Sequence, residues 1–337
     1  MTNPIRPTRI PEEAKQRLTT LFIAKHALGD GSLHPEDGNH AIYHHEVRTI
    51  LEGLGIGLKV ANSYNALFEK PEGVDFVFPL LNRGGFLNSE MMLPLLCTRL
   101  GLPYIGATPI LRGLSDDKHL SKLECHARGV PTAPWAIFRR GAPVDVSIVP
   151  PAERWVIKPN ASSASWGVQD ATDAAGLETA IASVHADGHD AIVEPFLVGS
   201  DVEVPVITVG GRPTIMPMMQ FLQQDPAHLR TYYEKRDLVD RSNKYSLVHY
   251  NHPEMVARIT AMTEQLMGIF DPFDYGRFEF RVDDETGRID FLEVNLNCNL
   301  WSEKVFGRSA ILAGMTQEDL IETIVAESML RQGLFAQ

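Results

Sequence analysis

Two runs near the C-terminal end of the chain, YGRFEFRVD (275–283) and RIDFLEVN (288–295), flank the turn-forming DDETG. A turn centred near Thr286 sets Glu279 opposite Glu293 and Arg277 opposite Asn295. Side chains alternate along a strand, so these four share one face, while Phe278, Phe280, Phe291 and Leu292 supply the buried one. Two carboxylates and an amide oxygen on a rigid hairpin suit a hard cation such as Mg²⁺ bound together with substrate phosphates. Like charges directly opposed otherwise destabilise a sheet. The alternative is an ordinary solvated acidic face.

A second candidate is KPNASSASWGV (158–168), a lysine at the end of an apolar strand followed by small hydroxyl residues and Gly167. Such a stretch offers backbone N–H groups and a cation to phosphate oxygens, although Ser/Ala/Gly runs also form plain turns. It is not a GxxxxGK[ST] loop. Lys118 in SDDKHLSK and Lys235 in YYEKR read on their own as solvated lysines. Glu194-Pro195-Phe196-Leu197 ends a strand and enters a linker, where exposed backbone groups can recognise a flat base or simply connect two units. His26, His34, His40, His44 and His45 crowd the N-terminal region without a zinc spacing, and read as a polar, partly mobile segment, with His44 or His45 able to face a cleft. Cys298 has no His base nearby in sequence and reads as a cleft-lining or core thiol.

The elements that must position these residues follow from pattern. LFIA (21–24), AIYHHEVRTILEGL (41–54), LKVA (58–61), VDFVFPLL (74–81) and SEMMLPLLCTRLG (89–101) alternate strand and helix, which implies a small parallel sheet with right-handed crossovers. Ser115 to Gly129 carries helix start and stop signals, with Ser115 as the cap. WAIF, WVIKP and AIVEPF, with a helix over 173–185, form an α+β unit ending near Phe196. Gly210-Gly211 turns DVEVPVITV back into RPTIMPMMQ. Residues 221–252 carry no clean period and much charge, and read as a long functional lid, mobile without its ligand. Helix returns at 253–270, and MTQEDLIETIVAESMLRQG closes the chain as an amphipathic helix.

Composition bounds the rest. The chain has 337 residues, 44% of them hydrophobic, enough for two or three packed units, and a net charge of −12 with no basic block. Nucleic acid and anionic membrane are therefore excluded as main partners. No apolar stretch approaches the ~20 residues needed to cross a bilayer. Three well-separated cysteines, Cys97, Cys125 and Cys298, give neither a disulfide framework nor a zinc site, so a cytoplasmic setting is expected.

Taken in order, these pieces resemble the D-alanine:D-alanine ligase branch of the ATP-grasp superfamily, from about residue 74 to 300. LGLPYIG (100–106) and DKHLSKLECHARGVPTAPW (117–135) are similar to the strand and helix that lead into its central domain. KPNASSASWGV aligns without gaps on the family's KPxxxGSSVGV, EPFLVGSDVEV on its hinge, TYYEKR on its lid, and RFEFRVD with FLEVNLN on its paired metal motifs. The resemblance implies an α/β ATP-grasp fold: an N-terminal parallel-sheet domain (1–107), a central subdomain (108–196) and a C-terminal subdomain (197–337), the last two clasping ATP.

It further implies Lys118, Lys158 and Lys235 on phosphates, and a loop of Ser162, Ser163, Ser165, Trp166 and Gly167 over them. Glu194, Phe196 and Leu197 would hold adenine, Asp201 the ribose, and Glu279, Glu293 and Asn295 two Mg²⁺ ions, with Arg277 at the transferring phosphate. Trp166 could also cover a substrate. The implied activity is ATP-dependent joining of a carboxylate donor to an amine through an acylphosphate, releasing ADP and phosphate, in a possible homodimer. The chain departs from the family pattern on the substrate side. Cys298-Asn299, next to Asn297, replaces Pro-Gly; Gly84-Gly85 replaces His-Gly; Ala164 replaces the first loop serine; and HHEVR places His44 where a glutamate would grip the donor amino group. These departures point to a substrate pair other than two D-alanines. The alternatives are a D-alanine–D-alanine ligase proper, a relative phosphorylating a hydroxyl or enol, or a catalytically silent nucleotide-binding subunit, which the intact metal carboxylates disfavour.

Overall fold

The computed structural model of the chain describes residues 4–81, 89–162, 164–240 and 245–336. After a short helix α1 (Glu12–Arg17), strand β1 (Thr19–Ile23) leads through helix α2 (His40–Gly53) to β2 (Gly57–Ala61), then to β3 (Phe76–Pro79) and helix α3 (Met92–Leu100). The strands lie in the order β2-β1-β3, all parallel, with Leu21 level with Lys59 on one side and Val77 on the other. Both faces of this sheet are covered, so its strands are apolar on both parities. Phe22, Phe76 and Phe78 pack towards Tyr43, Val47 and Leu51 of α2, whereas Leu21, Ile23 and Val77 pack towards Leu93, Leu96 and Cys97 of α3.

Helices α4 (Pro109–Asp116) and α5 (Lys118–Ala127) follow, and then a four-stranded sheet. It is built from β4 (Ala136–Phe138), β5 (Trp155–Pro159), β6 (Gln169–Ala171) and β7 (Ala191–Pro195), antiparallel in the order β4-β7-β5-β6. Helix α6 (Ala174–Ala186) lays Leu177, Ala180, Ile181 and Val184 on it. The expected helix over 115–129 is divided. Ser115 belongs to the end of α4, and Asp117, extended at ψ 103°, is the cap, its carboxylate accepting the Leu120 N–H. That break makes Lys118 the first residue of α5.

The largest sheet is antiparallel, in the order β11-β10-β8-β12-β13 with β9 also on β8. Its elements are β8 (Ser200–Val209), β9 (Arg212–Ile215), β10 (Met219–Gln223), the short helix α7 (Tyr232–Lys235), β11 (Tyr245–His249), helix α8 (Pro253–Phe270), β12 (Tyr275–Asp283) and β13 (Arg288–Asn295). Gly210 and Gly211, at φ +58° and +72°, make the expected two-residue turn. The stretch 221–252 is not one long loop: its ends are β10 and β11, paired from Met219–His249 to Gln223–Tyr245, and α7 lies between them. β11 is an edge strand with no buried residue and β10 buries only Met219 and Phe221, which hid this ladder from the hydrophobic pattern.

Helices α9 (Val305–Leu312) and α10 (Gln317–Arg331) end the chain. Instead of lying on the surface as an amphipathic helix, α10 is buried over most of its circumference, with Leu320, Ile321, Ile324, Val325 and Met329 in the core shared with β1 and α2. Two of its acids are buried because they have built-in partners. Glu322 accepts the Ile10 N–H (3.2 Å) and pairs with Arg9 (2.6 Å), and Glu327 accepts the N–H groups of Gly210 and Gly211 (2.8 and 2.9 Å). Among the described residues no helix is long and apolar enough to cross a membrane.

Candidate functional site: a cleft between two antiparallel sheets

The hairpin of β12 and β13 has the expected register: Glu279 faces Glu293 and Arg277 faces Asn295. One extra residue then interrupts the ladder, because Phe280 pairs with Phe291 and leaves Leu292 unmatched, a β-bulge. The bulge corrects the expected faces. Phe291 and Glu293 have the same parity, yet Phe291 is fully buried while Glu293 lines the cleft, and Leu292 joins the cleft wall instead of the core. The distortion is anchored from outside: Phe291 donates its N–H to the Pro131 carbonyl (2.8 Å), and Thr132 donates its hydroxyl to the Phe291 carbonyl (2.8 Å).

On the cleft face the acidic groups are tied together. Arg277 Nε lies 3.1 Å and Nη2 2.5 Å from Glu279 Oε1, and the Asn295 amide donates to Glu279 (2.7 Å) and Glu293 (3.3 Å). Burial pushes Glu293 up, but Lys118, Lys158 and Lys235 outweigh it and hold the carboxyl at about 2. Burial also disfavours the Arg277 cation, yet Glu203 and Glu279 keep its pKa above the ordinary arginine value. Oxygen donors of two ionised or ion-paired carboxylates and an amide, converging across a rigid hairpin beside three lysines, fit Mg²⁺ carried with phosphates.

The lysines come from separate elements. Lys118, at the head of α5, donates to the Ser162 carbonyl (2.6 Å) and lies 3.3 Å from Glu293. Lys158 on β5 contacts Glu194 at 2.5 Å. Glu194 is held between it and a fourth lysine, Lys122, at 2.6 Å, which is wholly buried one helical turn after Lys118 and also donates to Thr132 Oγ1. Burial raises the Glu194 carboxyl, but the two lysines overcome this and hold it at about 2; burial lowers Lys122 more than Glu194 can restore, whereas Lys158 moves up. Lys235, the last residue of α7, reaches the same cleft and is pushed down by burial and by Arg230.

The loop after β5 is held against α5: Asn160 accepts the Lys118 N–H on its carbonyl (3.1 Å) and the His119 N–H on its side chain (2.9 Å). Ala164 and Ser165 follow at φ +56° and +58°, a strained left-handed pair of the kind that concentrates at ligand-binding loops. Ser162 and Ser165 line the cleft. Trp166 does not; it packs on His189, ring centroids 5.1 Å apart, and Gly167 behind it is needed because a Cβ would strike Pro159 at 2.8 Å. Ser163 lies outside the described residues.

The cleft has two ends that share Lys118, Ser162, Arg230, Lys235, Glu279 and Glu293. One end has an apolar wall of Ala133, Val156, Phe196, Leu197 and Leu292, with Glu194 and Asp201 among its charged groups. Both oxygens of Asp201 are engaged, by Arg230 (2.8 Å) and Arg281 (2.8 Å); burial opposes ionisation, but the arginines hold the carboxyl below its ordinary value. Arg281 also donates to the Leu197 carbonyl (3.0 Å), which fixes the hinge.

The other end is lined by His40, Glu90, Asp116, Glu203, Arg277, Asn297, Cys298, Asn299 and Lys304, among others. Asn297 accepts from Tyr275 (3.2 Å) and donates to Glu90 (3.3 Å), and Asn299 accepts the Trp301 N–H (2.8 Å), so both shape the wall. Burial raises the Cys298 thiol to about 12, which leaves it protonated and unsuited to nucleophilic attack. Gly84 and Gly85 lie outside the described residues.

His44 is not at the cleft. It is buried one turn deeper than His40, accepts the His26 N–H on Nδ1 (3.2 Å), and is pushed down to about 3 by burial, by His26 and by Arg236. His40, on the first turn of α2, takes the cleft position. The His-rich segment is also packed, with Asp37 and Asn39 buried. His26, His34 and Asp37 come close enough to suggest a cation site. However, His34 Nδ1 accepts the N–H groups of Glu36 and Asp37, and Asp37 is neutralised by Lys25 and by Arg236 (3.0 Å). Sequence reasoning missed Lys122, Glu203, Arg230, Arg281 and Lys304. The four-residue step from Lys118 to Lys122, one turn along a helix face, and the alternation of Glu203 with Asp201 were there to be read.

The fold is the ATP-grasp fold. Residues 125–326 match the family model described as D-ala D-ala ligase C-terminus, and the chain belongs to that family. It is 27% identical over 236 residues to a D-alanine–D-alanine ligase of Polaromonas sp. (strain JS666), covering 68% of each chain. To the D-alanine–D-alanine ligase of Haemophilus ducreyi it is 24% identical over 287 residues, covering 84% of this chain and 91% of that one. The crystal structure of D-alanine–D-alanine ligase from Bacillus anthracis complexed with ATP superposes with a TM-score of 0.72 at 16% identity, covering 94% of this chain and 98% of the other. The chain is accordingly an ATP-dependent ligase that forms C–N bonds.

Proposed function

We propose that the protein activates a small carboxylate as an acylphosphate and transfers the acyl group to an amine, on a substrate pair other than two D-alanines. The observation that carries this is the continuity of the cleft. An apolar-walled end and a polar end share Lys118, Lys235, Glu279 and Glu293, so a phosphoryl group leaving a nucleotide in one end emerges in the other.

Phosphoryl transfer needs little covalent help from protein and much charge stabilisation. Lys118, Lys158, Lys235 and Arg277 surround the shared stretch and neutralise the charge that spreads over the transferred group. Glu279, Glu293 and Asn295 would hold Mg²⁺, two ions in our reading, which neutralises and orients the phosphate oxygens when bound. Glu194, kept ionised by Lys122 and Lys158, offers an acceptor in the apolar-walled end, where Phe196 and Leu197 would border adenine. Asp201, Ser162 and Ser165 line the same end. The polar end brings donor carboxylate and amine together, which removes much of the entropic barrier to their reaction. We place the divisions of the chain near residues 107 and 196.

The substrate reading rests on the polar end: Cys298 and Asn299 form its wall, and Glu203, His40 and Lys304 add charged or titratable groups there. The names of the relatives favour D-alanine on both sides as the second reading. Phosphate release from ATP with amino acids supplied singly and in pairs, together with hydroxylamine trapping, tests both. Hydroxamate formation supports the acylphosphate, and its absence with every donor ends the ligase reading. A highest kcat/KM for D-alanine with D-alanine establishes the second reading.

A further inference from the structure

Glu203 belongs to none of the groups the reaction requires above. It sits on β8 directly opposite Glu279 on β12, so Glu203, Glu279 and Glu293 form a row of carboxylates across three adjacent strands. It lines the polar end of the cleft and not the nucleotide end. Only 4% of its surface is exposed. Its Oε2 lies 2.8 Å from Arg277 Nε, but without hydrogen-bond alignment, and has no hydrogen-bond donor among the described residues. A buried acceptor left this way is unfavourable unless a donor arrives.

The surrounding charges show what kind of donor is missing. Arg277 is shared between Glu203 and Glu279, one guanidinium for two carboxylates. Arg230, which also faces Glu203, is bound to Asp201, and Lys235 points to the shared stretch where phosphate passes. Were Glu279 to take a metal and Arg277 to turn to phosphate, Glu203 would lose the cation that offsets its burial. It lies at the polar end, where the proposed reaction would bring donor and acceptor together.

We infer that Glu203 receives the acceptor substrate's amine as its ammonium group, takes the proton that group must shed before its nitrogen attacks, and so sets the cleft's preference for an amine over a hydroxyl nucleophile. This rests on the ligase reading above. An ammonium brings a positive charge and several donors to the buried oxygen; a hydroxyl brings one donor and no charge. A buried polar group left unpaired is how a site rejects an isostere lacking the matching group.

The test is Glu203→Gln, which keeps shape and removes charge. It is assayed with the amino acid of highest kcat/KM in the panel above as acceptor and with its 2-hydroxy isostere. We expect the KM for the amine to rise at least tenfold and the amine-to-hydroxyl ratio of kcat/KM to fall at least tenfold. The affinity for a Mg²⁺-bound non-hydrolysable ATP analogue, by calorimetry, should stay within twofold, and Glu203→Asp should recover part of the ratio. An unchanged ratio, an equal loss for both nucleophiles, or a loss confined to the Mg²⁺-nucleotide affinity overturns the assignment. If Glu203→Gln fails to fold, Glu203→Asp alone decides: its ratio must still drop. A parent protein that forms no hydroxamate with any donor refutes the ligase reading, which is a separate result.

Discussion

One methyl group should disable the enzyme through the segment that carries Lys235. Residues 37–39 grip residues 235–237: Asn39 donates its N–H to the Arg236 carbonyl (3.1 Å) and its side-chain amide to the Asp237 carboxylate (2.6 Å) and the Lys235 carbonyl (3.3 Å), while Asp37 pairs with Arg236 (3.0 Å). Gly38 sits between them at φ +57°, and a Cβ added there would lie 1.8 Å from the Arg236 carbonyl oxygen. A tolerable C···O contact is about 3.3 Å, so in Gly38→Ala the segment must retreat by about 1.5 Å. A displacement of about 1 Å in a positioning element can lower rate by about 10²-fold. The control is Gly55→Ala, at φ +75° with nothing within 4 Å of the added carbon, which bears the same backbone strain without the clash. Steady-state phosphate release should show kcat/KM down about 10²-fold for Gly38→Ala and nearly unchanged for Gly55→Ala, with far-UV circular dichroism unaltered in both. A Gly38→Ala enzyme within threefold of its parent, or equal losses in the two variants, would refute the reasoning.

Three further outcomes are expected. Glu293→Gln should lower turnover by about three decades at temperatures where circular dichroism shows it folded, with a lowered melting temperature because Lys118 loses the acid it is paired with; an unchanged rate ends the metal assignment. His44, held neutral down to about 3, binds no proton in the folded state while the unfolded chain titrates at the ordinary value of 6.5. Stability from this group is therefore lost as pH falls below 6.5, about 2 kcal/mol by pH 5, measurable as a denaturant-midpoint shift that His44→Phe should reduce, the remainder coming from His40 and His26, which burial also lowers. Lys122→Met should cost about 3 kcal/mol, because Glu194 keeps its burial and loses one of two counterions, and adding Glu194→Gln should restore most of it; equal instability of the single and double variants contradicts the pairing.

How much of this was legible depends on whether a residue's role is local. The hairpin register was readable because DDETG fixes the turn and alternation fixes the faces, but the unmatched Leu292 was not: nothing in FLEVN marks an inserted residue, and the anchors at Pro131 and Thr132 are some 160 positions away. The histidines were visible as a group, whereas which of them meets the cleft depends on where α2 begins, and a helix starting at His40 puts that residue at the mouth and His44 one turn inside. Glu203 alternates with Asp201 in SDVEVPV, so its face was readable. Its partner Glu279 belongs to a strand about 75 residues on, and only the ladder reveals three carboxylates in line. Lys122 reads as one more lysine on a charged helix until Glu194 appears against it.

Those long-range pairs explain how so many buried charges coexist before any ligand arrives. Most of the cations that should meet phosphate are matched to an acid within the cleft: Lys118 to Glu293, Lys158 to Glu194, and Arg277 to Glu203 and Glu279, while Arg230 and Arg281 are matched to Asp201. Desolvating these groups singly would be prohibitive, and desolvating them in pairs is tolerable. On the proposed assignment, nucleotide entry would be an exchange: phosphate oxygens would take over the lysines and the hairpin acids would hold Mg²⁺, so that no charge need be stripped bare along the way. Glu203 is the member of this set for which neither nucleotide nor metal supplies a replacement partner. The exchange closes only when a cationic group arrives on the substrate, which couples full occupancy of the polar end to the charge of the amine.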